Sequence, residues 1–129
     1  MGDDENRGAR ILLADDDPGM QETVYAVLMG EGHAVTMYDP NAPDESLLEE
    51  TYDVAVLDMM MPGMDGFELR EKIVRNSPRT QFIFITGYPD REKLDRAMDL
   101  GVLSFLTKPF TPDHIRYAVM GALRLNRLL

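Results

Sequence analysis

The chain has 129 residues, the size of one domain and long enough to bury a continuous core without disulfide or metal staples. It contains no cysteine, which excludes a disulfide framework, a thiolate metal site and a thiol nucleophile and suits a reducing compartment such as the cytoplasm. A formal net charge of −10 excludes non-specific nucleic-acid binding by this chain, and no stretch reaches the ~18 apolar residues of a membrane span.

In chain order, the polar and acidic segment 1–8 reads as a flexible tail and 9–129 as one domain. The tail has no apolar core of a signal peptide, and Asn6 stands where a myristoylation motif needs Ser or Thr. An apolar strand from Ala9 to Ala14 runs into Asp15-Asp16-Asp17 and Pro18. Helical spacing follows from Met20 to Gly30, with Asp17 as its cap and Gly32 as its stop. A second strand covers Ala34 to Tyr38, and a short helix lies around Glu45 to Glu50. The third strand, Val54 to Leu57, runs into Asp58 and then the turn M-M-M-P-G-M-D-G, whose proline and glycines cannot continue it. Asp65 and Glu68 have capping-box spacing before a helix from Phe67 to Asn76.

The fourth strand, Gln81 to Ile85, ends in Thr86-Gly87. The next helix, Arg91 to Leu100, has only Leu94, Ala97 and Met98 as apolar contacts amid charge. That predicts low local stability, and either a solvated face laced with pairs such as Glu92/Arg96 or a mobile switching element, two readings that are compatible. Gly101 stops it. A fifth strand, Ser104 to Leu106, leads into Thr107-Lys108-Pro109-Phe110, and Thr111-Pro112 start the last helix, Asp113 to Leu128. Strand and helix thus alternate five times without repeat or linker, which predicts a parallel sheet with helices on both faces and right-handed crossovers.

Four strand ends carry chemistry. Consecutive acids repel one another, so their position at the edge of an apolar strand makes most sense around a cation; with Asp17 assigned to the cap, Asp15 and Asp16 remain, and oxygen ligands suit Mg²⁺. Asp58 ends the third strand, where ligands gather in open parallel sheets. The Thr86 hydroxyl and the Lys108 ammonium suit phosphoryl oxygens, and Pro109 would fix the backbone there if its peptide bond is cis. Together these residues suit phosphoryl transfer, with Asp58 as a carboxylate nucleophile and no general base required. The methionines 59–61 and 64 read as gap fillers rather than a soft metal site, and His33 and His114 lack ligand spacing and read as structural or surface residues.

With the motifs I-L-L-A-D-D-D-P, V-L-D-M-M-M-P-G-M-D-G, F-I-F-I-T-G and S-F-L-T-K-P-F, the chain from about Ala9 to about Leu125 resembles the receiver domain of two-component response regulators. The resemblance implies a flavodoxin-like (βα)5 three-layer sandwich with strand order 2-1-3-4-5. It implies that Asp58 accepts a phosphoryl group from the phosphohistidine of a sensor histidine kinase or phosphotransfer protein. Mg²⁺, with Mn²⁺ as a substitute, would be held by Asp15, Asp16, Asp58 and the backbone carbonyl of Met60. Thr86 would swing toward the phosphoryl group, Lys108 would pair with it, and Phe105 would turn inward.

The surface of the fourth helix, fifth strand and fifth helix would then control an output domain, a target protein or a homodimer. On this reading the chain is a phosphoacceptor switch, not an enzyme with an external substrate, and any DNA contact falls to another domain. Gly101-Val102, Leu103 and Phe105 depart from the commonest pattern without removing a reacting group. Met60 and Tyr88 occupy positions the family varies to tune dephosphorylation, where a bulky pair would restrict the attacking water.

Two rivals are weaker. A haloacid-dehalogenase-like phosphatase would use Asp15 and Asp17 as its D-x-D pair, but it needs a later acidic pair where Pro109-Phe110 stand and leaves Asp58 idle. A phosphate-independent binding module of the same fold usually lacks one of the acids or the lysine, and here all are present. The ending L-R-L-N-R-L-L is amphipathic, so Met120, Leu125 and Leu128 either extend a dimer seam or pack on the domain.

Overall fold

The computed structural model describes residues 8–102 and 104–128. Five strands, β1 (Arg10–Ala14), β2 (Ala34–Tyr38), β3 (Val54–Asp58), β6 (Gln81–Thr86) and β7 (Ser104–Thr107), form one parallel sheet in the order β2-β1-β3-β6-β7. Between β3 and β6 lies a separate two-residue antiparallel ribbon, β4 (Met60–Met61) with β5 (Met64–Asp65). With that ribbon set aside, the order is the expected 2-1-3-4-5. The ribbon itself was not expected; it closes around Pro62-Gly63, and Gly63 takes a φ of 74° that side chains disfavour.

The helices are α1 (Pro18–Gly30), α2 (Gly66–Asn76), α3 (Arg91–Asp99) and α4 (Pro112–Leu128). The expected second helix is instead a single 3-10 segment, Glu45–Glu49, capped by the Asp44 carboxylate on the Ser46 amide. Only Leu48 of this segment is buried, so it carries too little apolar surface to support a longer helix.

Strand alternation sorts the core into two layers. Ile11, Leu13, Val54, Val56, Ile83 and Ile85 face α1 and α4, meeting Val24, Leu28, Ile115 and Val119. Leu12, Ala14, Ala55, Leu57, Phe82 and Phe84 face the other way, against Phe67, Leu69, Ile73, Leu48 and Ala97. The result is the three-layer sandwich.

Helix ends follow the side chains expected of them. Asp17 Oδ1 accepts from the amides of Gly19 and Met20 at 3.0 and 3.2 Å, and Asp65 Oδ1 accepts from the Glu68 amide at 2.8 Å. Thr111 Oγ1 accepts from the His114 amide, while His114 Nδ1 accepts from the Thr111 amide, so the histidine completes a reciprocal cap. His33 is structural in the same way, its Nδ1 accepting from the Ala9 amide at 3.0 Å. Gly32 and Gly101, with φ of 88° and 83°, end α1 and α3.

Two expectations for α3 need correction. Met98 is exposed, leaving Ala97 as its one buried residue, and Arg96 does not reach for Glu92 but lies over the Phe67 ring, 4.1 Å from its centre. The intrahelical pair is Arg91–Asp95, at 3.9 Å. Met120, Leu125 and Leu128 are all exposed, and Met120 and Leu128 lie along a cleft of about 720 Å³ between α1 and α4. The tail 1–7 and the Leu103 departure lie outside the described residues. Among the described residues, no helix is long and apolar enough to cross a membrane.

Candidate functional site

Parallel register brings the chemically active residues to one edge. Ala14 pairs with Leu57, Asp58 with Ile85, and Thr86 with Thr107, so the C-terminal ends of four strands stop nearly level. Asp15 follows β1, Asp58 ends β3, Thr86 ends β6 and Lys108 follows β7. The Lys108 amide donates to the Thr86 carbonyl at 2.8 Å, and the Lys108–Pro109 bond is cis.

Asp15 and Asp58 are buried at 1% and 4% exposure, whereas Asp16 is half-buried. Lys108 Nζ lies between the two buried acids, 3.0 Å from Asp58 Oδ2 and 3.4 Å from Asp15 Oδ1. Asp58 Oδ1 accepts from the Met60 amide at 3.0 Å, and Asp15 Oδ1 from the Asp17 amide at 2.9 Å. Asp17 therefore serves twice, capping α1 with its carboxylate and orienting Asp15 with its N–H. Burial raises the Asp15 carboxyl to about 6; the Asp17 amide opposes that rise, the Asp58 charge adds to it, and Lys108 opposes it. For Lys108, burial alone would lower the pKa, but the hydrogen bond to Asp58 and the two carboxylate charges raise it above the ordinary value.

A single ammonium faces more negative charge than it can balance. Oxygens of Asp15, Asp16 and Asp58 lie within 4.8 Å of one another, and Asp15 Oδ2 is buried without a hydrogen-bond partner. An orphaned buried carboxylate oxygen beside two further carboxylates is a donor set that fits a hard divalent cation.

The remaining expected residues stand around this centre. Thr86 is buried, and its hydroxyl is turned into its own loop, donating to the Tyr88 carbonyl at 3.0 Å and accepting from the Tyr88 amide at 3.1 Å. Phe105 is half-buried, its ring 6.2 Å from that of Phe84, which in turn lies 5.1 Å from Phe67. Met59 and Met61 are buried gap fillers, while Met60 and Tyr88 are exposed at 57% and 82%. Sequence reasoning missed Gly66, the first residue of α2: a Cβ there would lie 2.8 Å from the Asp58 carbonyl and 3.2 Å from the Phe84 ring. The D-G pair at the start of the helix was the available signal.

Residues 11–120 match the sequence model described as "Response regulator receiver domain". Among curated relatives, the chain is 29% identical over 125 residues to the transcriptional regulatory protein RprY of Bacteroides fragilis, covering 96% of this chain and 53% of that protein. It is 34% identical over 121 residues to the C4-dicarboxylate transport transcriptional regulatory protein DctD of Pseudomonas aeruginosa, covering 93% of this chain and 26% of that one. The chain thus spans about half or less of these relatives' length. Among solved structures, a CheY-like response regulator receiver domain protein from Methanospirillum hungatei is similar with a TM-score of 0.85 at 26% identity, covering 94% of this chain and 98% of that one.

Proposed function

Since the chain belongs to the response regulator receiver domain family of two-component systems, we propose that Asp58 is its phosphoacceptor, and that a sensor histidine kinase or phosphotransfer protein supplies the phosphoryl group. The observation that carries this reading is the buried Asp58 carboxylate bridged by Lys108 to Asp15 at the level ends of four strands.

A carboxylate oxygen of Asp58 attacks phosphorus as the bond to the donor imidazole nitrogen breaks. The electron pair leaves with that nitrogen, which takes up a proton, and an acyl phosphate remains on Asp58. A carboxylate nucleophile requires no general base, so positioning and charge balance are what the chain must provide. The Met60 amide and Lys108 hold the carboxylate in place, and Lys108 stays beside the charge that accumulates. Asp15, Asp16 and Asp58, with the Met60 backbone carbonyl, are the residues that would hold Mg²⁺ or Mn²⁺. When bound, the ion offsets negative charge on the phosphoryl oxygens. The Thr86 hydroxyl exchanges its Tyr88 partners for a phosphoryl oxygen, and Phe105 follows it inward. The surface of α3, β7 and α4 is the one that changes, acting on an output domain, a target or a second copy.

The curated relatives are transcriptional regulators about twice as long or more, so transcription control through a further domain is the output we favour. The chain itself is then a switch without an external substrate. Intact mass after exposure to acetyl phosphate tests this. We expect one phosphoryl adduct that requires Mg²⁺ and is absent in Asp58→Asn; an adduct that persists in that variant would overturn the assignment.

A further inference from the structure

The ribbon after Asp58 meets α3 at Lys93. Lys93, in the first turn of α3, is half-buried and its Nζ lies 3.0 Å from Met60 Sδ. Met60 is two residues beyond Asp58, and its amide holds Asp58 Oδ1. A thioether is a weak acceptor for an ammonium group. Among the described residues of a chain with 23 acids, no carboxylate lies within ion-pair distance of Lys93, although Arg91 in the same turn pairs with Asp95. Lys93 is therefore a cation held by a weak contact on the side chain of Met60, two residues beyond Asp58.

The element that carries it is lightly fixed. Ala97 is the one buried residue of α3 and Leu94 is half-buried; its further contacts include the Asp90 cap, Arg96 on Phe67 and Arg70 on the Leu100 carbonyl. A small force at the first turn can thus bias where α3 rests.

We propose that Lys93 couples Asp58 to α3. Once an acyl phosphate forms, the ammonium leaves the Met60 sulfur for a phosphoryl oxygen, a charge-assisted bond, and draws the first turn of α3 toward the site. This rests on the phosphoacceptor reading above and adds a coupling residue to it. The energy comes from the difference between the two acceptors, which is what a switch requires of a ligand-like event.

Amide hydrogen exchange across α3, compared at equal adduct occupancy by intact mass, tests the proposal in wild type, Lys93→Gln and Lys93→Arg. In wild type, phosphorylation should slow exchange at residues 92–98 by about tenfold, the scale of one charge-assisted hydrogen bond. Lys93→Gln should lose most of that protection and Lys93→Arg should recover much of it, because Arg keeps the charge. Equal protection in wild type and Lys93→Gln overturns the coupling while leaving Asp58 as acceptor. Absence of any adduct on the wild type overturns the phosphoacceptor reading and the coupling with it.

Discussion

Gly66 shows how closely single residues are fitted to this site. Its φ is not in the left-handed region, so glycine is required by space alone: a methyl group would press on the Asp58 carbonyl at 2.8 Å and the Met59 Cα at 3.1 Å. Backbone cannot yield as a side-chain tip can, so Gly66→Ala should displace the start of α2 and cost about 1–3 kcal/mol in denaturant unfolding, the usual scale of overpacking. It should also slow phosphorylation at Asp58. An Ala variant with unchanged stability would show that α2 can slide. Met59 and Met60, adjacent in sequence, have opposite fates, one in the core and one exposed at 57%. Their order along the strand-to-turn boundary was legible, but which of them points outward depends on the ribbon.

At the scale of elements, the sheet strands were legible nearly residue by residue, since each is a short apolar run ended by a polar or turn signal. Their C-terminal bounds extend one residue further than pattern suggests, to Asp58, Thr86 and Thr107, because parallel pairing holds those backbones even though their side chains are polar. The 3-10 segment and the ribbon β4/β5 were not legible as such; both are too short for periodicity to declare them. For α3, low apolar content agrees with a helix that buries Ala97 alone, but charge pattern alone assigned Arg96 to Glu92. A planar guanidinium over an aromatic face competes with an exposed ion pair, and Phe67 is brought there only by the packing of α2. Arg96→Ala should therefore speed amide exchange across α3 by about two- to fivefold, as loss of ~0.5–1 kcal/mol implies, with α1 unaffected. Equal acceleration in both helices would indicate global rather than local loosening.

Across the whole molecule, the acidic edge sets a term in stability that depends on pH. The Asp15 carboxyl is raised from 3.8 to about 6, first by burial, so the folded state binds its proton more tightly than the unfolded chain does. Its favourable contribution is complete below about pH 4 and is lost as pH rises through about 6. His33 acts in the opposite sense: burial lowers its pKa, so its contribution is lost as pH falls below its ordinary 6.5. The difference between wild type and Asp15→Asn isolates the first effect. Without divalent ions, the wild type should lose on the order of 1–3 kcal/mol relative to the variant between pH 4.5 and 7.5. Mg²⁺ should raise the melting temperature of the wild type at pH 7.5, less so at pH 5 where protons compete for Asp15, and not in the variant. A pH-independent difference would mean that Asp15 ionises normally in the fold.

The sequence by itself determined the alternation of strand and helix, the apolar runs, the caps and the residue type at each strand end, because these follow from local periodicity and from what proline, glycine and carboxylates do to a chain. It also held the motifs by which the family is known. Only the tertiary structure decided that Lys108 bridges Asp15 and Asp58, residues 93 and 50 positions away, that Asp15 Oδ2 is left without a partner, and that Lys93 rests on Met60. Those are distances between groups remote along the chain. They are fixed by the register of parallel strands and by the seating of helices on the sheet, and no local pattern records either.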